Sequence, residues 1–129
     1  VLIKRDKGLS RESLLEALAL GHCYVSFDLF GEARGFSFAV SGSAQKILGD
    51  DVELVNGLSL KASAPLNSRF ALWKDGSVIA QQSGSSAEFP ITTPGAYRIE
   101  TYLDALPKPV TGQPWIISNP IYVRPKQGI

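Results

Sequence analysis

Short runs in which hydrophobic and polar residues alternate make up most of the chain after residue 22. The clearest run follows the turn signal Pro94-Gly95 and covers residues 96–103, with Tyr97, Ile99 and Thr101 on one face. A strand with one face on a core and the other in water has this pattern. Similar patterns predict further strands at residues 23–27, 36–40, 52–55, 58–64, 69–73, 78–80, 87–91, 115–117 and 121–123.

One amphipathic helix is predicted before these strands. Ser10 is a suitable N-cap, Glu12 lies in the first turn, where the helix dipole favours an anion, and Gly21 provides a stop. Between them, apolar residues recur at helical spacing at Leu14, Leu15 and Leu18. A helix of residues 10–20 is too short to be stable alone. We therefore expect these leucines to face a neighbouring domain or to seal the end of this one. In the isolated chain they would dock on the sandwich, pair with another copy, or fray.

These elements predict a mainly β domain, an immunoglobulin-like antiparallel β sandwich of about seven to eight strands with one N-terminal α-helix. Residues 1–22 would form the lead-in and helix, 23–125 the sandwich and 126–129 a tail. Tyr97 is typical of a tyrosine corner, whose hydroxyl bonds to upstream backbone, and Ile99 holds the position that is Cys in antibody domains. The alternative is an ordinary core tyrosine on an amphipathic strand.

Strand parity and turn chemistry give more local expectations. Within residues 23–27, the side chains of Cys23, Val25 and Phe27 are expected to face the core. The sequence KDGS at residues 74–77 predicts a hairpin turn, and residues 83–86 predict another turn.

The composition fits a globular domain and bears on its partners. The 129 residues are 44% hydrophobic and carry a net charge of +1. A nucleic-acid surface needs clustered Lys and Arg, so no nucleic-acid partner is expected. No apolar run approaches the roughly 20 residues of a membrane span, and no compartment is indicated. Because the chain contains no Met and begins at Val1, we expect it to be part of a longer protein.

Few residues are candidates for chemistry. His22 is the only histidine and Cys23 the only cysteine, whereas a metal site needs several such ligands from different segments. His22 is more typical of a capping or interface residue. Asp50, Asp51 and Glu53 resemble half of a calcium loop but lack its regular ligand spacing, which favours a polar turn. We therefore predict no catalytic residue, metal site or cofactor in this chain.

Aromatic residues are the candidates for binding. If Phe70 and Leu72 face inward, strand parity turns Trp73 outward, where it could stack on a sugar or pack against a partner. Tyr102 is a second candidate for such a platform. Trp115 is predicted to lie flat over a sheet edge.

Three segments resemble a known family. Residues 14–26 (LLEALALGHCYVS) resemble the helix and strand that close the catalytic domain of PHP-type proteins, the polymerase-and-histidinol-phosphatase metal-dependent phosphoesterases. Residues 94–100 (PGAYRIE) and 114–123 (PWIISNPIYV) resemble the β domain that follows it in the CehA/McbA-like branch. The resemblance implies a C-terminal accessory domain whose partner is the upstream catalytic domain of the same chain. In that family the metal ligands belong to the upstream domain, so the resemblance assigns none here.

The segment Ser118-Asn119-Pro120 has a structural interpretation. Pro120 cannot donate to a sheet ladder, so it predicts a break or bulge before the last strand. The Asn119 side chain is expected to bond nearby backbone groups left open by that break.

Two functions remain open on the sequence alone. The first is a non-catalytic accessory domain that supports or orients a phosphoesterase domain, with a homodimer through the helix as a further possibility. The second is a binding module for carbohydrate or another ligand that uses Trp73 or Tyr102.

Overall fold

The computed structural model describes residues 2, 8–27, 31–41, 46–103 and 112–125. The predicted tail 126–129 and most of the lead-in lie outside these ranges. The elements are α1 (Arg11–Ala19), β1 (Tyr24–Ser26), β2 (Ser37–Val40), β3 (Asp51–Glu53), β4 (Ser59–Lys74), β5 (Ser77–Pro90), β6 (Gly95–Tyr102), β7 (Pro114–Ser118) and β8 (Ile121–Arg124). The prediction of a mainly β fold with one short helix is confirmed, and the arrangement is consistent with a β sandwich.

The long hairpin of β4 and β5 organises the sheet. The first part of β4 pairs with β2, and its last six residues pair with β6, while β5 accompanies both parts. From β6 the sheet continues through β7 to β1. The beginning of β6 pairs with β8, and β8 pairs with β3. All these pairs are antiparallel except β3 with β8, which is parallel.

One hydrophobic cluster holds both parts of the sheet together. Leu60 and Ala62 from the first part of β4 share it with Phe70 and Leu72 from the second part. Because one strand supplies both ends of a single cluster, the sheet has to wrap around its own core. The other large side chains that are fully buried there are Phe38, Leu48, Phe89, Tyr97, Ile99, Trp115, Ile116 and Ile121.

The predicted hairpin turn joins β4 to β5. Asp75 has a φ of 49° and Gly76 a φ of 92°. A two-residue hairpin whose twist matches its strands requires positive φ at both positions, and Asp-Gly supplies it at low cost. The turn prediction at residues 74–77 is confirmed.

The second predicted turn is wrong. Residues 83–86 lie inside β5, which runs without interruption from Ser77 to Pro90. The runs predicted at 58–64 and 69–73 are likewise one strand, β4. The register shifts between Ser63 and Ser68 and leaves extra residues on β4 at this point. A bulge keeps a strand in its sheet while bending it, and polar sequence alone does not distinguish this bend from a turn.

Two orientation predictions are also wrong. In β1 the Tyr24 ring packs on Phe36 with centroids 4.9 Å apart, whereas Val25 and Phe27 are exposed. Alternation separates two faces but does not say which one is buried. Trp115 is fully buried and its Nε1 donates to the Gly31 carbonyl at 2.7 Å. The register shift between Thr101 and Tyr102 leaves Trp115 as an extra residue on β7.

Candidate functional site

The helix α1 begins at a capping box. The Ser10 hydroxyl accepts from the Ser13 backbone N–H at 3.1 Å, and the Ser13 hydroxyl accepts from the Ser10 N–H at 2.9 Å. These bonds satisfy donors that the start of a helix leaves open, and the prediction of Ser10 as N-cap is confirmed. After the helix, Gly21 has a φ of 75°, the left-handed conformation that commonly ends helices.

The helix turns its small residues inward and its leucines outward. Ser13 and Ala17 are buried, whereas Leu14 is half-buried, Leu15 is 53% exposed and Leu18 is 47% exposed. Leu15 and Leu18 therefore do not seal the end of the sandwich, which was one of the expectations for them. Leu15 and Leu18 are three positions apart and therefore share one side of the helix, where they form an exposed apolar surface, the leucine face.

His22 and Asp50 fasten the end of the helix to the sandwich. His22 is buried, and its Nε2 lies 2.7 Å from Asp50 Oδ1, while Asp50 Oδ2 accepts from the Ile47 N–H at 3.0 Å. Burial by itself raises the pKa of the Asp50 carboxyl. The hydrogen bonds from His22 and Ile47, with the charges of His22 and Lys46, outweigh it and hold that pKa below its ordinary value. Asp50 is thus an ionised anchor for the helix.

Gly49 packs directly against the same helix end. A Cβ atom on Gly49 would lie 2.4 Å from the Leu20 carbonyl oxygen and 2.5 Å from the Gly21 carbonyl carbon. Gly49 also has a φ of 92°, so only glycine fits this contact without a shift. Its N–H donates to the Pro120 carbonyl at 2.7 Å, which ties the loop before β3 to the junction of β7 and β8.

Asn119 and Pro120 form the predicted break. β7 ends at Ser118 and β8 begins at Ile121, and both strands pair with β6. At this break the Ile99 N–H donates to the Ser118 hydroxyl at 2.9 Å. The Asn119 side chain was expected to bond nearby backbone groups left open by the break, and it bonds a backbone group of a distant segment instead. Its Nδ2 donates to the Gly21 carbonyl at 3.0 Å, because the fold brings the helix end over the break.

Tyr97 has the geometry of a tyrosine corner. Its side chain is 1% exposed, and its hydroxyl donates to the Thr93 carbonyl at 2.6 Å, four residues upstream. This is the hydrogen bond that the corner interpretation requires. Ile99, two residues later, is fully buried. Both residues have structural roles in the core, as expected from their pattern.

Trp73 and Tyr102 lie on the outer face of the sheet. Phe70 and Leu72 are buried, and Trp73 is half-buried on the opposite side of β4, as parity predicted. In the register of β4 and β6, Trp73 is opposite Arg98 and Tyr102 is opposite Arg69. We call Arg69, Trp73, Arg98, Glu100 and Tyr102 the outer-face cluster.

An arginine covers each aromatic ring of this cluster. The guanidinium carbon of Arg98 lies 4.5 Å from the Trp73 ring centroid, and that of Arg69 lies 4.4 Å from the Tyr102 centroid. Such cation–π contacts hold both partners in place. A sugar ring could stack on the covered faces only after displacing an arginine.

Glu100 provides the negative charge of the outer-face cluster. It is only 9% exposed and pairs with Arg98 at 3.1 Å. The pKa of the Tyr102 hydroxyl is raised. Burial raises it most and the charge of Glu100 raises it further, and together they outweigh the lowering by Arg69 and Arg98. Within the described residues, Trp73 Nε1 is buried without a hydrogen-bond partner. The cluster therefore carries two positive charges and one negative charge around its two aromatic rings.

The other candidates for chemistry do not converge. Asp51 pairs with Arg124 at 2.8 Å, and Glu53 is exposed at the end of β3. Across the part of the chain that the structure describes, no three His, Cys, Asp or Glu side chains form a group that could hold a metal ion. Cys23 is half-buried, with its Sγ 3.1 Å from Asn119 Nδ2.

Sequence reasoning missed the two arginines and Glu100. Alternation marked Arg98 and Glu100 only as the water-facing side of β6. The sequence did contain a signal for this cluster. Arg98, Glu100 and Tyr102 alternate along one face of β6. In the same way, Arg69 and Trp73 share one face of β4. The register that joins these sets is a property of the tertiary fold.

Comparisons with family models, with curated proteins and with solved structures find no match. No helix among the described residues is long and apolar enough to cross a membrane.

Proposed function

We propose that this chain is a non-catalytic accessory domain that packs, through the leucine face of α1, against a metal-dependent phosphoesterase domain of the same protein. The observation that carries the proposal is a helix that is firmly anchored and yet turns Leu15 and Leu18 to solvent. The metal ions, their ligands and the substrate would belong to the neighbouring domain.

The anchoring makes the leucine face a preorganised surface. The His22–Asp50 bond, the Asn119–Gly21 bond and the Gly49 contact all act at the C-terminal end of α1, so the helix keeps its orientation before any partner binds. Preorganisation lowers the entropy that binding has to overcome. A flexible helix would lose more freedom on docking.

The energy available on this face is useful but modest. A nine-residue helix depends on packing for its stability, and α1 buries only Ser13 and Ala17. Full burial of a leucine contributes about 1.5–3 kcal/mol, so covering the exposed halves of Leu15 and Leu18 would contribute roughly 1.5–3 kcal/mol. This suits a contact within one chain, where the partner is always close.

The resemblance of residues 14–26 supports the identity of the partner. In the PHP-type family, the matching helix and strand close the catalytic domain, and the sandwich follows. A domain that precedes α1 in the chain would be tethered close to the leucine face.

The full-length protein allows a direct test. The variant Leu15→Asp with Leu18→Asp should separate the two domains, which small-angle scattering would detect as a larger radius of gyration. The matched control is Val78→Asp with Ile79→Asp, which charges two exposed apolar residues of β5 and should leave the scattering unchanged. Unchanged scattering in the leucine variant would contradict the proposal. Manganese-dependent phosphodiester hydrolysis by the 129-residue chain alone would contradict its non-catalytic part.

A ligand-binding module is the second candidate. The observation in its favour is that Trp73 and Tyr102 share the outer face of one sheet. Against neutral sugars, both rings already carry a guanidinium group. In a glycan panel, we therefore expect no glycan whose binding depends on Trp73, so Trp73→Ala should abolish no signal. Binding that is lost in a folded Trp73→Ala variant would favour this second function over the first.

A further inference from the structure

The outer edge of β5 is a long stretch of backbone. β5 contains 14 residues, and within the described ranges it pairs only with β4. Most of its side chains are exposed, and Glu88 is its only charged residue. An exposed strand edge is a template for pairing with another strand, so proteins protect such edges.

The side chain of Gln82 bonds the backbone of Glu88 on the same strand. Gln82 Nε2 donates to the Glu88 carbonyl at 2.7 Å, and the Glu88 N–H donates to Gln82 Oε1 at 3.3 Å. In a strand, the N–H and C=O of one residue point to the same side. Both groups of Glu88 are bonded to this amide, so they point away from β4. The carboxamide makes the pair of bonds that a residue of an added antiparallel strand would make.

A bend in β5 makes this contact possible. In a straight strand, residues six apart are separated by about 20 Å, which is far beyond the reach of a glutamine side chain. The bend lies at Gly84, whose φ of 138° suits glycine, and opposite it the register of β4 shifts between Ser63 and Ser68. Gln82 therefore spans a corner of the strand as well as covering its edge.

We propose that Gln82 protects the exposed edge of β5 and keeps it from pairing with β5 of a second copy of this chain. By occupying the N–H and C=O of Glu88, its carboxamide removes the hydrogen-bonding positions at which an added strand would align. A second copy fits the edge because β5 carries one charge and the chain has a net charge of only +1, so repulsion between copies is weak.

The test compares Gln82→Ala with Gln81→Ala in the 129-residue chain. Gln81 is the matched control because it is the adjacent glutamine, and its side chain contacts Arg69 instead of the edge. In Gln82→Ala, the Glu88 amide should exchange about tenfold faster, since it loses one hydrogen bond. Sedimentation at increasing concentration should show dimers in Gln82→Ala and monomers in Gln81→Ala. A monomeric Gln82→Ala, or dimerisation equal to the control, would overturn the proposal.

A second variant identifies the surface involved. Adding Ser86→Lys to Gln82→Ala places a charge on an exposed position on the same side of the bend as Glu88 and should restore the monomer, because lysines on edges oppose strand pairing. A dimer that persists in the double variant forms elsewhere and overturns the proposal. If circular dichroism shows that Gln82→Ala is unfolded, Gln82→Glu replaces it, since it keeps the shape but loses the donor to the Glu88 carbonyl.

Discussion

Replacing Tyr97 by Phe removes one buried hydroxyl and leaves the ring in place. The hydroxyl donates to the Thr93 carbonyl at 2.6 Å and lies 3.1 Å from the Thr93 hydroxyl. The Thr93 hydroxyl also accepts a hydrogen bond from Lys74 Nζ at 2.6 Å. The substitution therefore deprives the corner of its central donor while the packing of the ring against the core is retained.

The expected loss follows from the surroundings of the two partners. Removing a hydrogen bond between a buried donor and acceptor costs about 1–3 kcal/mol, most of it from the partner left unsatisfied. Thr93 is exposed, so water can partly replace the lost donor at its carbonyl. We therefore expect a loss of about 1–2 kcal/mol in the free energy of unfolding, which lowers Tm by roughly 3–10 °C for a domain of this size.

Urea unfolding followed by tryptophan fluorescence measures this loss, because Trp115 is fully buried in the same core. Tyr122→Phe is the control, since Tyr122 is 44% exposed on β8 and should lose less than about 0.5 kcal/mol. If Tyr97→Phe is as stable as Tyr122→Phe, the hydroxyl does not brace the corner, and Tyr97 is an ordinary core tyrosine.

Two further predictions concern the attachment of the helix. The pKa of Asp50 is lowered in the folded state, so its contribution to stability is present above its ordinary value of 3.8 and is lost as pH falls below it. Asp50→Asn should therefore reduce the slope of stability against pH in acid unfolding curves, and an unchanged slope would show that Asp50 does not contribute. Gly49→Ala should destabilise the chain by about 2–4 kcal/mol, because its Cβ would collide with the backbone of Leu20 and Gly21 at the end of the helix. Gly57 has a similar φ but open space around it, so Gly57→Ala should lose only about 1 kcal/mol. Equal Tm values for the two glycine variants would contradict this contact.

The outcome of the sequence predictions depends on how far apart the interacting residues are. The Ser10 cap, the Asp75-Gly76 turn and the Tyr97–Thr93 bond each join residues within four positions. Local pattern predicted the first two and offered the third as one of two interpretations of Tyr97. It did not predict the attachment of the helix. His22 meets Asp50 from 28 residues away, and Asn119 meets Gly21 from 98 residues away. No single segment contains the information for such contacts.

The orientation of strands divides in the same way. Parity placed Trp73 opposite Phe70 and Leu72, since successive side chains point to opposite faces. Parity failed for β1, because either face of a three-residue strand can pack and the neighbouring Phe36 selected Tyr24. For the candidate site, the sequence identified Trp73, Tyr102 and the helical leucines. It could not show that arginines cover the two rings or that the leucines face solvent.

By itself, the sequence determined the local geometry of this protein: one capped helix, alternating strands, a left-handed hairpin turn and a proline break. These follow from the backbone preferences of single residues and from hydrophobic periodicity, which act over a few positions. The tertiary structure decided which face of each strand is buried, which strand is bent instead of ended, and which helix face remains open. Those choices depend on how distant segments fill one core, and packing of that kind is settled only when the whole chain is folded.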